Sequence, residues 1–268
     1  MLRGIIVGID RYSDPHIPHL SCAVSDAQGV YKVLCDAIRA DELSLTLLTN
    51  ELASRTAIMH HVGEELARDS AQDDMVLLYF AGHGSPETPG DIDTSSRYLV
   101  PYDTQYDRIY STGIDMEADV SRWCDRVRAK VKLVLIDACF SGRAGGRTFR
   151  GPRLAAVQRT WRGPLSLRPL DLGAGTVLIS ACGEDQVARE DPSLGHGIFT
   201  YHLIRLLQPR NRTQQKISIY TLYAEVATSV RTATDGAQIP VIAGRSADVR
   251  LPVLSAPPTG ALETFRER

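Results

Sequence analysis

Four short runs of almost unbroken apolar residues constrain this chain more than anything else in it. They are residues 4–9 (GIIVGI), 75–80 (MVLLYF), 131–136 (VKLVLI) and 176–180 (TVLIS). A strand exposed on one face alternates polar and apolar residues, whereas a continuous apolar run of this length needs cover on both faces. The segments between the runs supply that cover. Residues 25–39 carry Val30, Val33, Leu34, Ala37 and Ile38 at helical spacing, and residues 54–69 carry Ile58, Val62 and Leu66 four apart. Residues 116–129, 197–208 and 218–232 also read as helices. Further strands are expected at 44–48 and 238–242, with a short one at 97–101. Strands buried on both sides and alternating with amphipathic helices predict an α/β fold: a three-layer α/β/α sandwich with a mostly parallel central sheet.

The chain has 268 residues, which fits one such domain with insertions. We expect the domain to span 1–252, with a polar tail at 253–268 and a long exposed loop, rich in Gly and Arg, at 141–173. The net charge of −2 gives no reason to expect a nucleic acid or an anionic membrane as partner. The apolar run near the N-terminus is too short for a signal segment, and no stretch approaches the ~20 apolar residues of a membrane span. Five cysteines without a CxxC pair argue against a disulfide framework or a zinc site. These features lead us to expect a cytoplasmic protein with reduced thiols. Cys22, Cys35, Cys124 and Cys182 are expected in core packing. His16, His19, His60, His61, His196 and His202 have no catalytic setting, and His60 and His61 are expected as a helix-surface pair.

In open α/β sheets the chemistry lies beyond the carboxyl ends of the strands. The third strand is followed by Ala81-Gly82-His83-Gly84, the fourth by Asp137-Ala138-Cys139-Phe140-Ser141-Gly142. If those strands are neighbours, a histidine and a cysteine meet at one edge. An imidazole beside a thiol takes its proton, creates the nucleophilic thiolate, and later protonates a leaving amine. Gly82 and Gly84 permit close approach of a substrate backbone, and the amides of Gly84 and Cys139 are candidates for oxyanion donors. Each residue alone also has an ordinary reading: His83 as a loop histidine bonded to backbone, Cys139 as a small buried hydrophobe.

"LLYFAGHGS" and "LVLIDACFSG" closely resemble the two signatures of the caspase and metacaspase cysteine peptidases. "IIVGIDRY", "LSCAVSDAQGVYKVL", "ISACGEDQVARE" and "GHGIFTYHLI" resemble flanking segments of metacaspase-like members, so the likeness runs from about residue 4 to about 242. The resemblance implies a caspase–haemoglobinase fold, cysteine endopeptidase activity and a catalytic dyad at Cys139 and His83. It implies cleavage after Arg, with Lys as a second choice, through carboxylates that match Asp26 and Asp137 here. It also implies protein substrates carrying those residues, an upstream activator protein, and a regulatory role in defence or programmed cell death.

Both aspartates suit that role on physical grounds. Asp137 ends an apolar strand, where a charge is costly unless paired, and a substrate guanidinium is a bidentate partner. The alternative for Asp137 is an ion pair with a resident Arg or Lys. For Asp26 the alternative is a first-turn helix acid. An Asp-directed pocket would need arginines instead. Three positions depart from the family pattern: Phe140 stands where His is common, Ala81 where Ser is common and Ala23 where Cys is common. They leave the choice between Arg and Lys, and an inactive or conditionally active scaffold, as open alternatives. A redox-sensing thiol is a third. No cofactor and no site metal are expected. Calcium activation, known in the family, would draw on Asp91, Asp93, Asp103 and Asp107, a thin set for six to eight oxygens. The arginines of the long loop (143, 147, 150, 153, 159, 162 and 168) read as a basic patch, an internal processing segment or a solvated insertion. Any self-cleavage should follow one of them.

Overall fold

A computed structural model describes residues 1–86, 97–140, 146–149, 174–183, 186–208, 216–244, 246 and 250–252. The expected tail at 253–268 and most of the loop at 141–173 lie outside these residues.

The central sheet has six strands in the order β12-β8-β7-β3-β1-β2. They are β1 (Leu2–Gly8), β2 (Leu43–Thr49), β3 (Met75–Ala81), β7 (Val131–Asp137), β8 (Thr176–Ser180) and β12 (Val241–Gly244). All pairs are parallel except the edge pair of β12 with β8. The three-layer α/β/α architecture with a mostly parallel sheet is therefore the observed one. Alternation along the strands divides the core in two. Leu77, Tyr79, Leu133, Leu135, Val177 and Ile179 face one layer, built on α1 (Ala23–Ala37), α6 (Ile198–Leu207) and α7 (Ile219–Ala233). Val76, Leu78, Phe80, Val134 and Ile136 face the other, built on α2 (Arg55–His60), α3 (Leu66–Asp69) and α5 (Ala118–Arg126).

The expected helix over 54–69 is present but interrupted. Between α2 and α3 runs a π-helical turn, His61–Glu65. A tertiary contact meets it there: Arg126 Nε donates to the Gly63 carbonyl at 2.9 Å, and Trp123 of α5 packs close to Gly63, the kind of side-chain insertion that accompanies such a turn. The short strand expected at 97–101 is present at Arg97–Leu99 and has partners on both sides. β4 (Gly84–Pro86), β5 (Arg97–Leu99) and β6 (Ile114–Asp115) form a small antiparallel sheet, joined through α4 (Ile109–Thr112). Two more strand pairs complete the fold, β9 (Glu190–Asp191) with β10 (His196–Gly197) and β11 (Lys216–Ser218) with β13 (Arg250–Pro252). The last central strand lies at Val241–Gly244 rather than 238–242, because the backbone of Gln238 is committed elsewhere: its N–H donates to Thr234 Oγ1 and its carbonyl accepts from the same hydroxyl, at 3.1 Å each.

Two expectations need correction. Cys35 is exposed on α1, while Cys22, Cys124 and Cys182 are buried as expected. The loop at 141–173 is not exposed throughout, for Arg147, Thr148 and Phe149 are buried. Among the described residues no helix is long and apolar enough to cross a membrane.

Candidate active site

The strand register fixes the site. β3 and β7 are parallel neighbours with Ala81 opposite Asp137, so His83 and Cys139, each two residues further on, leave the sheet side by side. Both residues have the parity of the α1/α6 face, as do Tyr79 and Asp137. The two chains run very close there: a Cβ on Gly84 would stand 2.6 Å from the Cys139 carbonyl oxygen, so only glycine fits.

His83 is 1 % exposed. Its Nε2 lies 2.8 Å from the Pro18 carbonyl. A carbonyl only accepts, so Nε2 carries the hydrogen and Nδ1 of the neutral ring keeps its lone pair. Nδ1 is buried and has no hydrogen-bond partner among the described residues. Tyr12 Oη fixes the backbone by accepting from His83 N at 2.9 Å, and the Tyr12 and Phe149 rings flank the imidazole. Burial is the main reason the His83 pKa falls to about 4; the backbone of Pro18 and of Arg147 opposes it, and the Arg147 charge adds to the fall. The imidazole is therefore neutral at pH 7 and able to accept a proton.

Cys139 is fully buried, with its Sγ 2.7 Å from the Gln186 carbonyl. Cys182 Sγ approaches the same oxygen at 3.7 Å. The Cys139 amide donates to the Arg147 carbonyl oxygen at 3.1 Å, and the Gly84 amide donates to that same oxygen at 3.0 Å. The two amides singled out in the sequence thus converge on one acceptor.

The side chain of Arg147 goes where the two aspartates meet. Its Nη1 lies 3.0 Å from Asp137 Oδ2 and donates to the Asp137 carbonyl at 3.1 Å. Its Nη2 pairs with Asp26 Oδ2 and lies 3.2 Å from Glu190 Oε1. Arg147 and Asp26 are 0 % exposed. The resident-arginine reading of Asp137 therefore holds in this chain. Asp26 is more than a first-turn acid, since its carboxylate also takes the Gly197 amide at 3.0 Å and His196 Nδ1 at 2.8 Å. Helix α1 brings it there because Ala23, Ala27 and Val30 bury the same face against the sheet. Asp137 Oδ2 also accepts from Thr200 Oγ1 at 2.6 Å. Burial raises the Asp137 pKa to about 6 although the Arg147 charge pulls it down and the hydroxyl of Thr200 helps. Burial opposes the charge on Arg147 too, but Asp137 and Asp26 hold it firmly protonated.

Glu190 and Gln186 escaped the sequence analysis, and His196 was set aside there as having no catalytic setting. Glu190 fastens the entry to α1, accepting from Ser21 N and Cys22 N at 2.9 Å each, while it closes the third side of the guanidinium pocket. Its signal was its place in "GEDQVARE", after the fifth strand, among segments that resemble the family. His196 had the same kind of signal, its place in "GHGIFTYHLI", although β10 itself is only two residues long. Of the acidic residues weighed for calcium, Asp91 and Asp93 lie outside the described residues, and Asp103 accepts the Arg55 amide at 2.7 Å. Among the described residues no group of three or more His, Cys, Asp or Glu side chains is arranged to hold a metal ion.

Comparison with known proteins bears on the fold and the family. A crystal structure of a protein from Geobacter sulfurreducens superposes with a TM-score of 0.65 at 17 % identity, covering 91 % of this chain and 94 % of that one, which is a likeness of fold. No curated protein matches the sequence. The family model described as "Caspase domain" matches residues 3–251. With nearly the whole chain so matched, and with that sheet order, the protein belongs to the caspase-domain family of cysteine peptidases.

Proposed function

We propose that this protein is a cysteine endopeptidase that cleaves after arginine, with lysine a poorer second. The observation that carries this reading is the posture of Arg147: guanidinium among Asp26, Asp137 and Glu190, carbonyl oxygen on the amides of Gly84 and Cys139. A substrate arginine in that posture would present its carbonyl carbon to the Cys139 sulfur. His83 Nδ1 then accepts the thiol proton as Cys139 turns from the Gln186 carbonyl, and the Pro18 carbonyl steadies the imidazolium. The Gly84 and Cys139 amides hold the oxyanion, His83 returns the proton to the leaving amine, and water clears the thioester. Arginine is preferred because Nη1 and Nη2 engage different carboxylates, a division that a single ammonium cannot reproduce.

The burial of Cys139 supports a conditional enzyme: segment 146–149 must leave before another peptide enters. An activator protein fits that need, and a regulatory role in defence or cell death rests on the family likeness. The test is a set of fluorogenic peptides differing only in the residue before the cut, with a peptidyl arginyl ketone as a covalent probe. Arginyl peptides are cut, aspartyl peptides are not, Cys139→Ala is inactive, and the ketone labels Cys139. Equal turnover by wild type and Cys139→Ala, or a ketone that never labels the thiol, overturns the assignment and leaves a scaffold as the reading.

A further inference from the structure

The peptide around Arg147 is bonded along its length, not at the guanidinium alone. Arg147 N donates to the Ala188 carbonyl at 3.2 Å. Thr148 bridges Gly84 in parallel, and Ser85 Oγ donates to the Phe149 carbonyl at 3.1 Å. The Phe149 ring sits edge-on to His83 at 5.4 Å and stacks on Tyr106 at 5.9 Å. On the other side, a Cβ on Gly146 would overlap Cγ1 of Val187 and lie 2.7 Å from the Ala188 carbonyl oxygen. The position before the arginine is thus closed to any side chain.

We infer that this segment is an internal substrate, cut between Arg147 and Thr148, and that the groove reads glycine before the arginine as well as the arginine itself. The inference rests on the peptidase reading and adds a bond and a second specificity position to it. In the step, the Cys139 sulfur bonds to the Arg147 carbonyl carbon while the bond to Thr148 N breaks. The thiol proton passes through His83 to that nitrogen. Water then hydrolyses the thioester, which restores the thiol and leaves Arg147 as a carboxylate. Sequence alone offers two loop arginines preceded by glycine, Arg143 and Arg147. The pocket holds the second.

Intact-mass spectrometry of the full chain on incubation tests the bond. Wild type yields 1–147 and 148–268, whereas Cys139→Ala and Gly146→Ala stay whole. A wild-type chain that stays whole, or one cut after Arg143 or another arginine, overturns the assignment. Peptides supplied in trans test the second position independently of how the variants fold. Gly-Arg coumarin amides should exceed Ala-Arg ones in kcat/KM by about ten-fold or more, the scale of an overpacked site. Val187→Ala should narrow that ratio. Equal rates on the two peptides overturn the glycine requirement. An arginyl ketone separates the failures: labelling of Cys139 in a chain that never cuts itself sinks this inference alone, while no labelling and no peptide turnover sink the peptidase reading beneath it.

Discussion

One guanidinium meets three carboxylates at the rim of the sheet, and the protonation of the groups around it sets what the pocket can hold. Asp137, pushed up by burial even with the Arg147 charge beside it, takes up a proton at a higher pH than an ordinary carboxylate, so the pocket loses a charge and KM for arginyl peptides should rise in mild acid. His83, lowered to about 4 by burial, stays neutral until the pH approaches 4, so kcat, which reports the bound state, should hold further into acid than KM does. Steady-state kinetics between pH 4 and 8 check the split. A kcat that falls in step with the rise in KM would contradict the assignment of the two groups. Arg147→Ala leaves Asp26 and Asp137 buried without their cation, which should cost about 3–5 kcal/mol of stability. Denaturant unfolding measures that loss, and saturating arginine amide should recover part of it by binding the folded state.

Two elements bring Asp26 and Asp137 together, and their approach depends on small residues. Gly8 of β1 lies under α1, where a Cβ would stand 2.6 Å from that of Ala27. Gly8→Ala should therefore push α1 outward, cost about 1–3 kcal/mol, and move Asp26 away from the pocket. The expected outcome is a rise in KM for arginyl peptides, because Asp26 rides on α1, together with a fall in kcat, because α1 also packs on β3 and the connection that leads into it holds Pro18 against His83. Unchanged KM in a folded variant would show that α1 does not position the pocket. The Pro18 carbonyl, in the connection between β1 and α1, steadies His83 from the same region, so one chain segment serves both the arginine and the imidazole.

At the scale of the whole molecule, the bond between Arg147 and Thr148 lies between β7 and β8, which pair in parallel inside the central sheet. A cut there leaves β1, β2, β3 and β7 on one fragment and β8 and β12 on the other. The α1/α6 core draws residues from both, including Leu133 and Leu135 on one side and Val177, Ile179, Phe199 and Leu203 on the other. The cleaved protein should therefore elute as a single species of uncut size in size-exclusion chromatography and separate only in denaturant. Two species eluting apart without denaturant would contradict this.

Much of this protein was legible in its residues. Continuous apolar runs fixed which segments are buried strands, helical spacing fixed what covers them, and the AGHG and DACFSG endings announced a histidine and a cysteine at one edge. Those signals are local, carried by periodicity and by neighbours in the chain. Where Arg147 goes was not legible, because seven arginines in one loop share the same chemistry and no spacing separates them. Only the folded chain selects among them: parallel register sets the Gly84 and Cys139 amides on one oxygen, α1 adds Asp26, β9 adds Glu190, and Val187 leaves room for glycine alone. Contacts that join residues 121 positions apart, as Arg147 and Asp26 are, arise from packing, which no local pattern encodes.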